Sequence, residues 1–165
     1  MEVDYLLVAD AAIAAGGKHY IHGGGWDTLV VTRTPTTHPV LAVAVRLRLD
    51  PEDERRGIDL ELDVVDEMGT TMIGAPVRAR LDADLTAAAA PGTLVRSRCV
   101  TFTLSRVLLA HPGRFEAVLT SGGAVLRRTP FNVVAVLDPE GDGDAPPAAA
   151  GLRHPGSGAG GVLPA

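Results

Sequence analysis

The ten residues Lys18, His19, Tyr20, Ile21, His22, Gly23, Gly24, Gly25, Trp26 and Asp27 hold the densest set of chemically competent side chains in the chain. They include the single Trp, one of two Tyr residues and two of five His residues. Tyr20 and Trp26 can stack on a ring ligand such as a sugar, with His22 and Asp27 supplying polar contacts, so these four are the candidate ligand-binding residues. The competing use of Trp26 is the core. Burying an indole removes roughly 150–250 Å² from water, an upper-bound gain of about 4–6 kcal/mol, and with only six aromatic residues in the chain the core is the favoured place for it.

Other chemistries fit less well. His19 and His22 could ligate a metal with Asp10, Asp27 or His38, but positions 19 and 22 point to opposite faces of a strand. The closely spaced Cys/His pairs of structural zinc are absent. Gly23, Gly24 and Gly25 would cradle a phosphate only if a helix followed. Here Trp26 to Thr32 reads as a strand. Cys99 could serve as a nucleophile with His22 and Asp27, yet it lies between Arg98 and Val100 in a strand with no glycine elbow. Asp59, Glu61 and Asp63, with Asp66 and Glu67, are spaced as a solvated strand face rather than as a calcium-binding loop. No catalytic residue, metal or cofactor is expected.

Charge and composition narrow the partners. The net charge is −5, and residues 138–165 carry Asp138, Glu140, Asp142 and Asp144 against Arg153. The remaining body, at −2, has no basic stripe, which argues against nucleic acid. No apolar run reaches the ~20 residues of a membrane helix; Val40 to Val45 is followed by Arg46 and Arg48. A single cysteine forms no internal disulfide, and the acidic opening Glu2 and Asp4 is unlike a signal peptide. These features predict a cytoplasmic protein.

The elements that would position the candidates are short strands. Asp4 to Ile13 reads as a strand, Gly16 and Gly17 as a tight turn, and His19 to His22 as its partner. The three glycines form a bulge or a corner between sheets. Thr32 to Pro39 reads as a loop. Leu41, Val43, Val45, Leu47 and Leu49 alternate with Ala42, Ala44, Arg46 and Arg48, the period of a half-buried strand. Residues 50–57 form a charged connection. Ile58, Leu60, Leu62 and Val64 then alternate with Asp59, Glu61 and Asp63, acids that can pair with Arg46 and Arg48 across neighbouring strands.

A turn at Asp66 to Gly69 leads to a return strand over 70–73, and Val77 to Leu81 forms a further short strand. Residues 82–92 read as a loop. Strand character resumes at Val95 to Leu104, with Val107 to Ala110 as a connector. Arg114 to Thr120, a hairpin at Ser121, Gly122 and Gly123, and a return over 124–128 follow. Pro130 marks a strand start or edge. Phe131 to Leu137 carries Val134 and Val136 opposite its apolar face, which predicts cover on both sides or a partner. Beyond it, Gly, Pro and Ala fill 18 of the last 28 positions, too little apolar area to offset ordering entropy.

Eight to nine short strands without a long helix predict an all-β, two-layer antiparallel β-sandwich, jelly-roll or immunoglobulin-like Greek key. The domain spans 1–137 and a disordered tail 138–165. Tyr5 to Asp10, the block from Gly17 to Asp27, and His111 to Glu116 with its hairpin to Pro130 and Phe131 resemble a bacterial family of small stand-alone domains of unknown function. Its most distinctive element is Lys-x-x-Ile-x-Gly-Gly-Gly-Trp-Asp. The resemblance implies a β-sandwich and supplies no catalytic residues. The expectation is a non-enzymatic protein that acts through protein–protein contact or as a homo-oligomer. The alternatives are a small-ligand or carbohydrate-binding module and, more remotely, a hydrolase-type enzyme.

Overall fold

The computed structural model describes residues 1–83 and 96–136. Its elements are β1 (Glu2–Ala15), β2 (Lys18–Gly24), β3 (Thr28–Val31), β4 (Thr36–Leu49), α1 (Pro51–Arg56), β5 (Ile58–Asp66), β6 (Val77–Leu81), β7 (Arg96–Leu109), β8 (Gly113–Ser121) and β9 (Ala124–Ala135). One sheet has the order β2-β1-β4-β7 and the other β3-β9-β8-β5-β6. The chain is therefore an all-β sandwich, as its alternating pattern predicts. The loop expected at 82–92 and the tail expected at 138–165 lie mostly or wholly outside the described residues.

Period two places one set of side chains between the sheets. Leu41, Val43, Val45, Leu47 and Leu49 of β4 meet Leu60, Leu62 and Val64 of β5, Phe102 and Leu104 of β7, and Phe115 and Leu119 of β8. Among the described residues Phe115 and Phe131 are the largest fully buried side chains. They occupy the centre, and Trp26 packs half-buried at the rim.

Several expectations are corrected. β4 begins at Thr36 rather than after Pro39, because Thr36, Thr37 and His38 pair with Leu109, Leu108 and Val107. Those last residues belong to β7 instead of forming a connector. Pro39 is tolerated there because β1 pairs with β4 only from Ala42 onward, so one flank of Pro39 carries no β1 ladder to break. Opposite it stands Arg106 at φ 59°, and the buried positions of β7 change from even to odd numbers across that residue.

The charged connection at 50–57 contains a helical turn. Asp50 accepts hydrogen bonds from the Glu52 and Asp53 amides, Asp53 returns a bond to the Asp50 amide, and Pro51 sits in the first turn, a capping box with a pre-set φ. Arg46 and Arg48 do not pair with the β5 acids, because β4 and β5 lie in different sheets. Arg46 faces Asp4, and Arg48 faces Glu2 and Asp4. The acids Asp59 and Glu61 face Arg80 and Arg78 of β6. The expected return strand at 70–73 is reduced to one bridge between Val65 and Thr71. The antiparallel rule also has an exception, since β3 runs parallel to β9.

β1 serves two purposes. Its first half pairs with β4 and its second half with β2. The distal hairpin curls back over the outer face of β4 and reaches β7, which is not β1's neighbour in the sheet. Ala9, Ala12, Ala42 and Ala44 form a buried pad under it, flanked by Tyr5, Leu7 and Ile21. Small side chains allow that close approach.

Candidate functional site

The three glycines make the corner at which the chain passes from one sheet to the other. Gly23 has φ 55°, and a Cβ there would lie 2.0 Å from Asp10 Oδ2. Only glycine fits. The close approach leaves Asp10 Oδ1 3.1 Å from the Trp26 indole Nε1, which donates to it. The indole meets Phe131 edge-on, with centroids 5.6 Å apart at 89°. Phe131 stacks on Phe115 at 5.7 Å, and Phe115 on His111 at 5.4 Å.

Four rings thus stand in a row, and an aspartate is tied to each end. Asp10 accepts from Trp26, and Asp66 Oδ2 lies 3.4 Å from His111 Nε2. Such ring pairs contribute about 0.5–1.5 kcal/mol each beyond area burial. His111 Nδ1 donates to the Pro112 carbonyl at 2.9 Å. That bond, followed by the Asp66 contact, raises the imidazole above its ordinary pKa. The Thr70 amide first, with His111 and the Met68 amide, holds the Asp66 carboxyl below the usual carboxylate range.

A second polar cluster locks the β1–β2 hairpin to β7. His19 Nε2 lies 3.1 Å from the Val100 carbonyl, and Nδ1 lies 2.8 Å from the Tyr5 hydroxyl. A carbonyl only accepts, so Nε2 carries a proton, and in the neutral ring Nδ1 accepts from Tyr5. Burial pushes the Tyr5 phenol up in pKa, and the nearby Cys99 adds to the rise. The Cys99 thiol donates to the Gly17 carbonyl at 3.4 Å. Each of these groups is engaged in holding the hairpin down.

The structure distributes the four sequence candidates over three places. Tyr20 and His22 are exposed and share one face of β2, beside Ile13 and Ala11. Trp26 turns inward to the ring row. Asp27 is exposed at the start of β3, where its carboxylate accepts from Thr28 and its carbonyl from the Asn132 amide. The imidazole bonded beside Cys99 is His19, not His22. His38 is half-buried, and burial lowers its pKa against the opposing influence of Asp10. Among the described residues no three His, Cys, Asp or Glu side chains converge on a metal position. Likewise no described helix is long and apolar enough to cross a membrane.

On the outer face of the second sheet two shallow grooves of about 400 Å³ each meet at Val65, Gly69 and Arg128. Glu61, Asp63 and Thr120 line the first, and Arg114 and Glu116 the second. Sequence reasoning missed the contact of Asp66, itself in the wall of the second groove, with His111. The turns at Asp66 and at His111, Pro112 and Gly113 are both legible, but 45 residues separate them and nothing local joins them.

Comparisons with known proteins add a family and little else. A β-glucosidase from Listeria innocua in complex with glucose matches at TM-score 0.37 and 15% identity, covering 68% of this chain and 15% of that one. A Pseudomonas fluorescens alkylpurine DNA glycosylase, AlkC, bound to DNA containing an abasic site analog, matches at TM-score 0.34 and 13% identity, covering 66% of this chain and 28% of that one. The chain spans well under a third of either protein, and likeness this distant says nothing of activity. No curated protein matches the sequence. The family model that does match covers residues 4–134, and the chain therefore belongs to DUF6941, a family of unknown function.

Proposed function

We propose that this protein is a non-catalytic β-sandwich that works through protein contact, with a second copy of the chain as the partner. One observation carries the reading. Val30 of β3 and Val134 of β9 are register partners, and both are exposed, at 62% and 44%. Val136 continues the patch at 54%. Val30 on the edge strand β3, Val134 on its neighbour β9 and Val136 just beyond β9 form an apolar surface of the kind that protein contacts cover. In support, Asp10, His19, Cys99 and the Asp66–His111 pair are engaged in contacts within the fold.

Size exclusion with light scattering at tens of micromolar tests this. The wild-type chain is expected to exceed the monomer mass, and V30E/V134E to return to it. A strictly monomeric wild-type protein overturns the self-association.

A second reading, a small-ligand or carbohydrate platform, draws on Tyr20, 57% exposed, with His22 on the same face. It expects ligand binding that Tyr20→Ala abolishes while the fold is retained; binding that survives Tyr20→Ala counts against it.

A further inference from the structure

We propose that Asp66 and His111 form a proton-operated clasp, closed when the imidazole is protonated, that holds the 66–73 segment as a wall of the outer-face grooves. Asp66 is the hub of the segment, which is also tied by Gly69 N to the Asp66 carbonyl, by Thr71 Oγ1 to Asp63 Oδ1 and by the Val65–Thr71 bridge. Asp66 Oδ1 accepts from the Met68 and Thr70 amides at 2.9 and 2.8 Å, and Asp66 N donates to the Thr70 carbonyl at 3.0 Å. Farther on, Met72 N donates to the Val64 carbonyl and Leu108 N to the Met72 carbonyl. Gly69, at the tip of this turn, lines both grooves, and Glu67 lines one of them. The position of Asp66 therefore sets the shape of the groove wall.

His111 is rigidly mounted to act on that carboxylate. Its ring stacks on Phe115 at an interplanar angle of 24°, and the Pro112 carbonyl fixes Nδ1 as a donor. With the ring protonated, Nε2 also donates, toward Asp66. Because Pro112 retains the Nδ1 proton, deprotonation removes the proton from Nε2. A lone pair then faces a buried carboxylate, and attraction becomes repulsion.

The other charges near the ring do not reverse this. Asp66 and Glu67 are the acids that act on it, and both favour the protonated form. β8 presents the uncharged Phe115 ring, while Arg114 and Arg128 are engaged by Glu116 at 3.1 and 2.9 Å.

The signs follow from the directions of the two shifts. The His111 pKa is raised in the folded protein, so its contribution is complete below about pH 6.5 and is lost as pH rises through the folded value. The Asp66 pKa is lowered, so its part is present above the ordinary carboxylate pKa and fails only in acid. The clasp is thus closed in mildly acidic solution and opens as pH rises through the raised imidazole value.

Two-dimensional NMR on the full chain between about pH 5.5 and 8.5, where imidazoles titrate, tests the proposal. Hydrogen-exchange protection of the Met68 and Thr70 amides is expected to fall about three- to fivefold, the scale of one partly exposed ion pair. The midpoint should coincide with that of the His111 imidazole. Amides of the hairpin at 121–124 should hold steady, and His111→Gln should remove the step. Protection that is flat across the range, or a step that persists in His111→Gln, overturns the clasp. Should His111→Gln fail to fold, the wild-type titration decides alone, since a midpoint different from that of the imidazole also overturns it.

Discussion

Two hairpins in this molecule share a turn chemistry and differ in everything beyond it. β1–β2 turns on Gly16 and Gly17, and β8–β9 on Gly122 and Gly123, with all four glycines at positive φ. The β8–β9 ribbon stays in its sheet, with Phe115 and Phe131 paired in register and facing the core. The β1–β2 ribbon bends at Asp10 and Gly23, leaves the plane, and curls over β4 toward β7. Turn residues therefore set the reversal of the chain, while the side chains along the ribbon set where it lies. Alanines make the first ribbon able to approach a sheet from outside. Phenylalanines commit the second to the interior.

Enlarging the alanine pad should give the largest effect. Ala44 is fully buried beneath the curled hairpin, and Ala44→Leu should cost about 3 kcal/mol by overpacking. Enlarging Val125, 50% exposed on the flat ribbon, to Leu should change stability by less than about 0.5 kcal/mol. Denaturant midpoints at constant m-value measure both. Equal costs would mean that the two ribbons are packed alike.

The bend itself comes next. Gly23→Ala places a methyl group against the Asp10 carboxylate and disturbs the Trp26 bond, in addition to a left-handed backbone. It should cost about 2–3 kcal/mol and shift the Trp26 emission. Gly122→Ala meets nothing within 4 Å and should cost only the backbone term, about 1–2 kcal/mol, without an emission change.

The smallest expected effect concerns the latch. Tyr5→Phe removes the hydroxyl that His19 accepts from and should cost about 1 kcal/mol. It should raise the amide exchange of the β1–β2 turn and leave the β8–β9 turn as it was. An unchanged exchange rate at Gly16 and Gly17 would show that the Tyr5–His19 bond does not hold the hairpin.

Much of the fold is legible along the chain because strand alternation is a local property. Leu41 to Leu49, Ile58 to Val64 and Phe115 to Leu119 declare their inner faces two residues at a time. The glycine pairs and Pro130 mark reversals and edges for equally local reasons: positive φ, or a missing donor. What misleads is partnership. Arg46 and Arg48 look complementary to Asp59 and Glu61, but a charged strand face does not say which neighbour it will meet. The candidate site divides in the same way. Trp26 is recognisable as an anchor, whereas Asp10 as its acceptor, and Asp66 as the partner of His111, become visible only when distant segments are brought together.

The amino-acid order by itself determined which face of most strands turns inward and where the tight glycine turns fall, since each depends on a residue and its nearest neighbours. Only the tertiary structure decided that β3 runs parallel to β9, that one hairpin folds outside its own sheet, and that two aspartates hold the ends of a row of four rings. Those outcomes depend on the joint packing of two sheets, a balance of areas and approaches that no single segment encodes.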